Sequence, residues 1–192
     1  NSIDKLISFL NEETKGYKVI IAGYSSAAYL TTILSMKLDN VVRSIAFGPI
    51  FDITQFIDKN GKYWKNIQRD FLEFKDTSKK KYFDITHLIK TKKPRSFLYF
   101  YANGYYLDKE QHNLLIKSNI ILDGVGIDST THCGIFNKKI NIFLLTCSEK
   151  KFVAFKNKFA GKTNVKEKEV LNFINIKLNL FFKCLELRLC KL

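Results

Sequence analysis

A short apolar run that leads into Gly-x-Ser-x-Ala constrains this chain more than any other feature. The run covers 18–22, Ser25 follows at a turn, and a helical pattern covers about 26–38. β-branched residues favour a strand. A turn this tight needs small residues two positions before and after the serine, and Gly23 and Ala27 stand there. The pattern predicts a strand, a sharp turn at Ser25 and a helix.

A serine at such a turn lies at the N-terminus of a helix, where free N–H groups and the helix dipole favour negative charge. A tetrahedral oxyanion carries this charge, so the predicted geometry suits acyl transfer. That chemistry also needs a base to take the serine proton and a carboxylate to orient the base. The alternative is that Ser25 only caps the helix.

Two more strand-like runs follow, and each leads to a candidate partner for the serine. The aromatic run 95–102 ends at a turn, after which Asp108 precedes a helical stretch at 109–116. The apolar run 119–127 passes through polar residues to His132. The candidates therefore occur in the order serine, aspartate, histidine, each after its own strand.

The acid and the base each have an alternative. Asp108 and Gln111 have the spacing of a capping box, so the carboxylate of Asp108 could simply cap a helix. Asp123 and Asp128 are the other candidate acids. The position of His132 in a polar loop suits either a catalytic base or a solvent-exposed histidine.

The chain has two other histidines, which we interpret as structural. His87 lies in an amphipathic stretch, and His112 is expected on the polar face of its helix.

The order of these features resembles the C-terminal half of an α/β-hydrolase domain over residues 1–140. The resemblance implies that Ser25 is the nucleophile, Asp108 the acid and His132 the base, with the backbone N–H of Ser26 as one oxyanion donor. The remaining positions of the implied nucleophile elbow are Gly23, Tyr24 and Ala27. Ala27 stands where glycine is usual, and the loop before Asp108 lacks the common Gly-x-x-Asp sequence.

The implied fold is α/β, a mostly parallel sheet flanked by helices. Only residues 1–24 precede the serine, so the resemblance implies that the N-terminal strands are missing and that the chain is a fragment of a larger enzyme. Val19, Ile20 and Ile21 would then form an unpaired apolar edge that invites self-association, and the fragment alone is expected to be a poor catalyst.

The implied function is that of a serine hydrolase that cleaves an ester or thioester through an acyl-enzyme, without a cofactor or metal. The expected substrate is a small-molecule or glycan-linked acyl ester. The alternative is a non-catalytic α/β interaction domain with an incomplete hydrolase site.

The rest of the chain divides around this hydrolase-like part. Residues from about 50 to 95 exceed a usual connection and predict either a lid or a crossover helix with loops. Residues 141–192 are expected to form a helical extension, although the run 174–180 also alternates as a strand would.

Composition limits the possible partners and the compartment. The net charge of +14 is spread along the chain, so we expect a solvated basic surface and no specific nucleic-acid binding. No apolar run has the length of a membrane span. The start of the chain lacks a signal-peptide pattern, and its four cysteines lack metal-like spacing. These features favour a cytoplasmic protein with free thiols.

Overall fold

The computed structural model describes residues 2–53 and 84–175, which form an α/β fold built on a four-stranded parallel sheet. Each strand is hydrogen-bonded to the next in chain order, in parallel orientation. The strands are β1 (Val19–Tyr24), β2 (Val41–Phe47), β3 (Phe97–Ala102) and β4 (Asp123–Ile127). This architecture confirms the expected α/β class with a parallel sheet flanked by helices.

Helices precede, connect and follow the strands. They are α1 (Ser2–Glu13), α2 (Ser26–Lys37), α3 (Thr86–Thr91), α4 (Tyr106–Lys117), α5 (Lys138–Thr146) and α6 (Glu149–Phe159). A short 3-10 helix covers His132–Ile135, and residues 167–175 are also helical. Among the helices that the structure describes, none combines the length and the apolar character needed to cross a bilayer.

The alternation of side chains along β3 explains why both faces of the sheet are covered. Leu98, Phe100 and Ala102 belong to one buried cluster, together with apolar residues of α5, α6 and 167–175. The intervening Phe97, Tyr99 and Tyr101 belong to a second cluster, with residues of α2, α3 and α4. Successive strand side chains point to opposite faces, so an all-apolar strand needs helices on both sides. Each buried large side chain contributes about 1.5–3 kcal/mol.

Strand β1 lies at one edge of the sheet and pairs with β2 alone among the described residues. Ile20 is 37% exposed there, whereas Val19 and Ile21 pack partly against the cluster formed around Leu34 and Val41. The apolar edge expected from the sequence is therefore present in the described part of the chain. Self-association through it stays a prediction.

The two regions outside the predicted core domain are described in part. Of the stretch from about 50 to 95, residues 54–83 lie outside the described residues. The choice between a lid and a crossover helix therefore stays a prediction. Helix α5 crosses position 140, and helical residues as far as 175 share the buried cluster of the sheet. Residues 176–192, the last third of the predicted helical extension, also lie outside the described residues.

Two predicted boundaries are wrong. Helix α4 begins at Tyr106, before Asp108, with Tyr105 as its N-cap. Strand β4 begins at Asp123 instead of near 119, because Asn119 adopts a left-handed conformation with φ of 56° at the end of α4. The N–H of Ile120 closes this helix end on the carbonyl of Leu115, at 2.9 Å, as expected of a left-handed C-terminal cap.

Candidate functional site

Ser25 occupies the turn between β1 and α2 in a backbone conformation that side-chain-bearing residues rarely adopt. Its φ is 56° and its ψ is −120°. Its N–H donates to the carbonyl of Phe47 at 2.8 Å, and its carbonyl accepts from the N–H of Ala28 at 2.9 Å. A non-glycine residue held in a sparsely populated region costs about 1–3 kcal/mol and occurs mainly where the surrounding structure imposes it. Here the two backbone hydrogen bonds hold Ser25 in this conformation.

The helix-cap alternative for Ser25 is wrong, because its side chain makes no capping hydrogen bond to α2. The expected need for small residues is confirmed at Gly23, where an added Cβ would collide with the carbonyl of Ala27 and the hydroxyl of Thr31. Ala27 itself is exposed. Crowding of its own side chain therefore does not account for the small residue at that position.

Asp108 and His132 form a close pair at the carboxyl end of the sheet. Nδ1 of His132 donates to Oδ1 of Asp108 at 2.7 Å, and Oδ2 of Asp108 accepts from the N–H of Ala102 at 3.0 Å. Asp108 is 4% exposed. Both oxygens of the buried carboxylate thus have a partner, which fixes its orientation toward the imidazole.

The capping-box alternative for Asp108 is wrong for a related reason. Asp108 is the third residue of α4, and its carboxylate points away from the N–H groups of the helix start. Gln111 does not complete a capping box either. Its side-chain oxygen accepts from the N–H groups of Phe51 and Asp52, at 2.7 and 2.9 Å.

The other candidate acids lie away from His132. Asp123 begins β4 at the opposite end of the strand and pairs with Lys156 at 2.5 Å. Asp128 is exposed beyond the end of β4. Of the three candidate acids, the structure brings only Asp108 within hydrogen-bonding distance of the His132 ring.

The two loops that precede the helices of Asp108 and His132 are hydrogen-bonded to each other. The N–H of Asn103 donates to the carbonyl of Ile127, and that of Gly104 to the carbonyl of Ser129, both at 2.9 Å. Ser129 then donates its hydroxyl to the carbonyl of Thr131 at 2.9 Å, directly before His132. The polar run before His132 was therefore the signal for a folded turn, which the sequence reading treated only as a loop.

Gly48, which follows β2, was also missed. It has φ of +58°, and an added Cβ would overlap the imidazole of His132, coming within 2.8 Å of Nδ1. Glycine alone both adopts this positive φ without strain and leaves room for the imidazole, since residues with side chains rarely adopt this conformation. The glycine at 48 thus makes room for the ring of His132.

The three histidines have different surroundings. His132 begins the 3-10 helix and its side chain is 21% exposed. His87 is exposed on α3. The expectation that His112 lies on a polar face is wrong, because its ring stacks on Tyr101 with centroids 4.1 Å apart and its Nδ1 shares a 2.7 Å hydrogen bond with the hydroxyl of Tyr99.

The N-terminus of α2 provides the electrostatic part of the site. Ser26 is its first residue, and the first N–H groups of a helix have no acceptor within the helix. Together with the dipole of a 12-residue helix, they favour an anion beside the turn.

Within the described ranges, no group of three or more His, Cys, Asp or Glu side chains is arranged to hold a metal ion. Cys133 and Cys147 are free thiols, and the other two cysteines lie outside these ranges. Comparison of the chain with protein-family models, with curated proteins and with solved structures found no match in any of the three.

Proposed function

We propose that this chain is a serine hydrolase of the α/β-hydrolase type that cleaves an ester or thioester. One observation carries the proposal. Ser25 lies in a strained turn at the carboxyl end of the parallel sheet. A buried aspartate that is hydrogen-bonded to an imidazole lies at the same end of the sheet. A hydrogen bond from Nδ1 to a carboxylate leaves Nε2 as the basic nitrogen, which is the form a general base requires.

In the proposed reaction, the hydroxyl oxygen of Ser25 attacks the carbonyl carbon of the substrate while Nε2 of His132 takes the hydroxyl proton. The carbonyl oxygen becomes an oxyanion beside the N–H of Ser26 and the N-terminus of α2. Collapse of this intermediate breaks the bond to the alcohol or thiol, which leaves with the proton from His132. An acyl group then remains on Ser25.

Water completes the cycle in the same way. His132 takes a proton from the water as the water oxygen attacks the acyl carbon. It then gives this proton to the oxygen of Ser25 as the bond between that oxygen and the acyl carbon breaks, and the carboxylic acid is released. Asp108 keeps its proton-free form throughout and stabilises the imidazolium that forms twice in each cycle. Acyl esters of small molecules or of glycans fit this chemistry, which requires no cofactor.

Labelling with a fluorophosphonate tests the proposal directly, since this probe reacts with a serine activated by a base. We expect modification of Ser25 in the 192-residue chain, located by peptide mass spectrometry, and loss of modification in Ser25→Ala. Ser26→Ala is the matched control, because it removes the neighbouring hydroxyl and keeps the backbone N–H. Equal labelling of the wild type and Ser25→Ala would contradict the proposal and favour a non-catalytic domain.

A further inference from the structure

Tyr24 is the residue immediately before Ser25, and it contacts the segment that carries the imidazole. Its ring centroid lies 4.9 Å from that of His132, with the two planes 35° apart. Its hydroxyl donates to Sγ of Cys133 at 3.3 Å. One side chain therefore touches both His132 and the residue after it, although 108 positions separate Tyr24 from His132.

From these contacts we infer that Tyr24 is a positioning residue for His132, which couples the turn at Ser25 to the orientation of the imidazole. The inference rests on the proposed function, because it assigns Tyr24 a role in the same site.

Besides Tyr24, the imidazole of His132 is confined by Asp108, by Gly48 and by the ring of Tyr105, whose centroid lies 6.0 Å away. The carboxylate of Asp108 holds Nδ1 at 2.7 Å, and the backbone of Gly48 lies so close to the ring that no side chain fits between them. Rotation about the bond to Asp108 would still move Nε2. The ring of Tyr24 limits this rotation, because aromatic rings with centroids 4.5–7 Å apart attract each other in tilted arrangements.

Tyr24 is itself held in place by its neighbours. Phe136 packs on it with centroids 5.4 Å apart and also meets Phe47 edge-on at 5.9 Å. Burial, followed by the hydrogen bond to Cys133, raises the pKa of the Tyr24 phenol. The phenol therefore stays neutral and continues to donate to the thiol.

Among residues 2–53 and 84–175, none of the contacts to His132 engages Nε2 in a hydrogen bond. Asp108 binds Nδ1, Gly48 lies against the ring, and the rings of Tyr24 and Tyr105 have centroids 4.9 and 6.0 Å from that of His132. The nitrogen that the proposed reaction needs is thus not hydrogen-bonded by these residues, while the ring that carries it is restrained on several sides. A residue that positions His132 must restrain the ring without hydrogen-bonding to Nε2.

Nuclear magnetic resonance of the full chain tests the contact without relying on activity. The chain has only three histidines, so labelled imidazoles give three resolvable Cε1–H signals. In Tyr24→Leu we expect the His132 signal to move downfield, because the ring current of Tyr24 is lost. The signals of His87 and His112 should stay in place and show that the fold is intact.

The rate of fluorophosphonate labelling at Ser25 tests the consequence. We expect Tyr24→Leu to lower the rate roughly 10–100-fold, the range for a catalytic group displaced by up to about 1 Å. Tyr24→Phe keeps the ring and should recover most of the rate. Tyr17→Leu is the control for the exchange, because Tyr17 lies before β1 and is 71% exposed.

The possible results separate the two proposals. A wild-type chain whose Ser25 is not labelled would contradict the proposed function. A labelled wild type with an unchanged His132 signal and an unchanged rate in Tyr24→Leu would contradict the role of Tyr24 alone. Equal losses in Tyr24→Phe and Tyr24→Leu would also overturn it, because the ring would then not be the part that positions His132.

Discussion

Two imidazoles in this protein make a hydrogen bond of the same length in opposite settings. Nδ1 of His132 lies 2.7 Å from a carboxylate oxygen of Asp108, and Nδ1 of His112 lies 2.7 Å from the hydroxyl of Tyr99. The first pair lies where loops meet at the carboxyl end of the sheet. The second lies between α4 and β3, where the ring of Tyr101 stacks on His112.

The partner and the surroundings decide what each pair can do. Burial lowers the pKa of His112 and raises that of Tyr99, so both shifts favour the neutral form of the side chain. A phenol also cannot balance an imidazolium as a carboxylate can. The pair of His132 with Asp108 suits proton transfer, whereas the pair of His112 with Tyr99 fills a core. A short hydrogen bond to histidine therefore identifies a candidate site only together with its partner and its position in the fold.

The largest effect on the Ser25 labelling rate should come from removing the negative charge of Asp108 in its pair with His132. Asp108→Asn keeps the size of the side chain but removes the carboxylate that fixes the tautomer of His132. We expect the rate of Ser25 labelling to fall by up to about 10³–10⁴. Asp128→Asn, at an exposed acid near the same edge, is the matched control. A loss of less than tenfold in Asp108→Asn would remove the distinction between the two histidines.

The second effect concerns the space that the protein leaves for the His132 ring. Gly48→Ala should lower the labelling rate by about 10²-fold because the new methyl group displaces the imidazole. It should also cost about 1–3 kcal/mol of unfolding free energy, because alanine is strained at this positive φ.

Gly161→Ala is a close control for this substitution. Gly161 also has a positive φ, +82°, but an added Cβ there would meet nothing within 4 Å. This variant should lose stability and keep its labelling rate. If both variants lose the rate equally, general destabilisation and not displacement of His132 explains the loss.

The sequence predicted the local elements well because their signals are local. The apolar run before Ser25 and the aromatic run before Asp108 each depend only on neighbouring positions. The bond between Asp108 and His132 follows from adjacent parallel strands that end at one edge.

The sequence could not predict features that depend on contacts between distant positions. The glycine at 48 is needed because of a ring 84 positions away. The burial of His112 depends on the tyrosines of β3 that pack against its helix. The early start of α4 was also missed, because its first residue, Tyr106, is an exposed aromatic and its N-cap is Tyr105, which is not a preferred cap residue.

The third effect should be on stability and not on chemistry. Tyr99→Phe leaves Nδ1 of the half-buried His112 without its hydrogen-bond partner, which should cost about 1–3 kcal/mol of unfolding free energy. The double variant Tyr99→Phe with His112→Phe should recover part of this loss, because neither partner is then left with an unmet hydrogen bond. Denaturant unfolding measures both, and the labelling rate of Ser25 should stay at the wild-type level. A large fall in that rate would show that the second pair also serves the site.

The smallest effect is a pH dependence that belongs to His112. Burial lowers its pKa below the ordinary value of 6.5, so between the folded and unfolded pKa values the unfolded chain binds more protons than the folded one. The unfolding free energy should therefore not depend on His112 above about pH 6.5 and should fall as the pH drops below that value. For one proton, the fall is at most about 1.4 kcal/mol per pH unit. His112→Phe should flatten this part of the profile in denaturant melts between about pH 5 and 7, whereas His87→Gln, at an exposed position, should leave it unchanged. A His112→Phe profile as steep as that of the wild type would mean that another group carries the acid sensitivity and that burial does not set the two imidazoles apart.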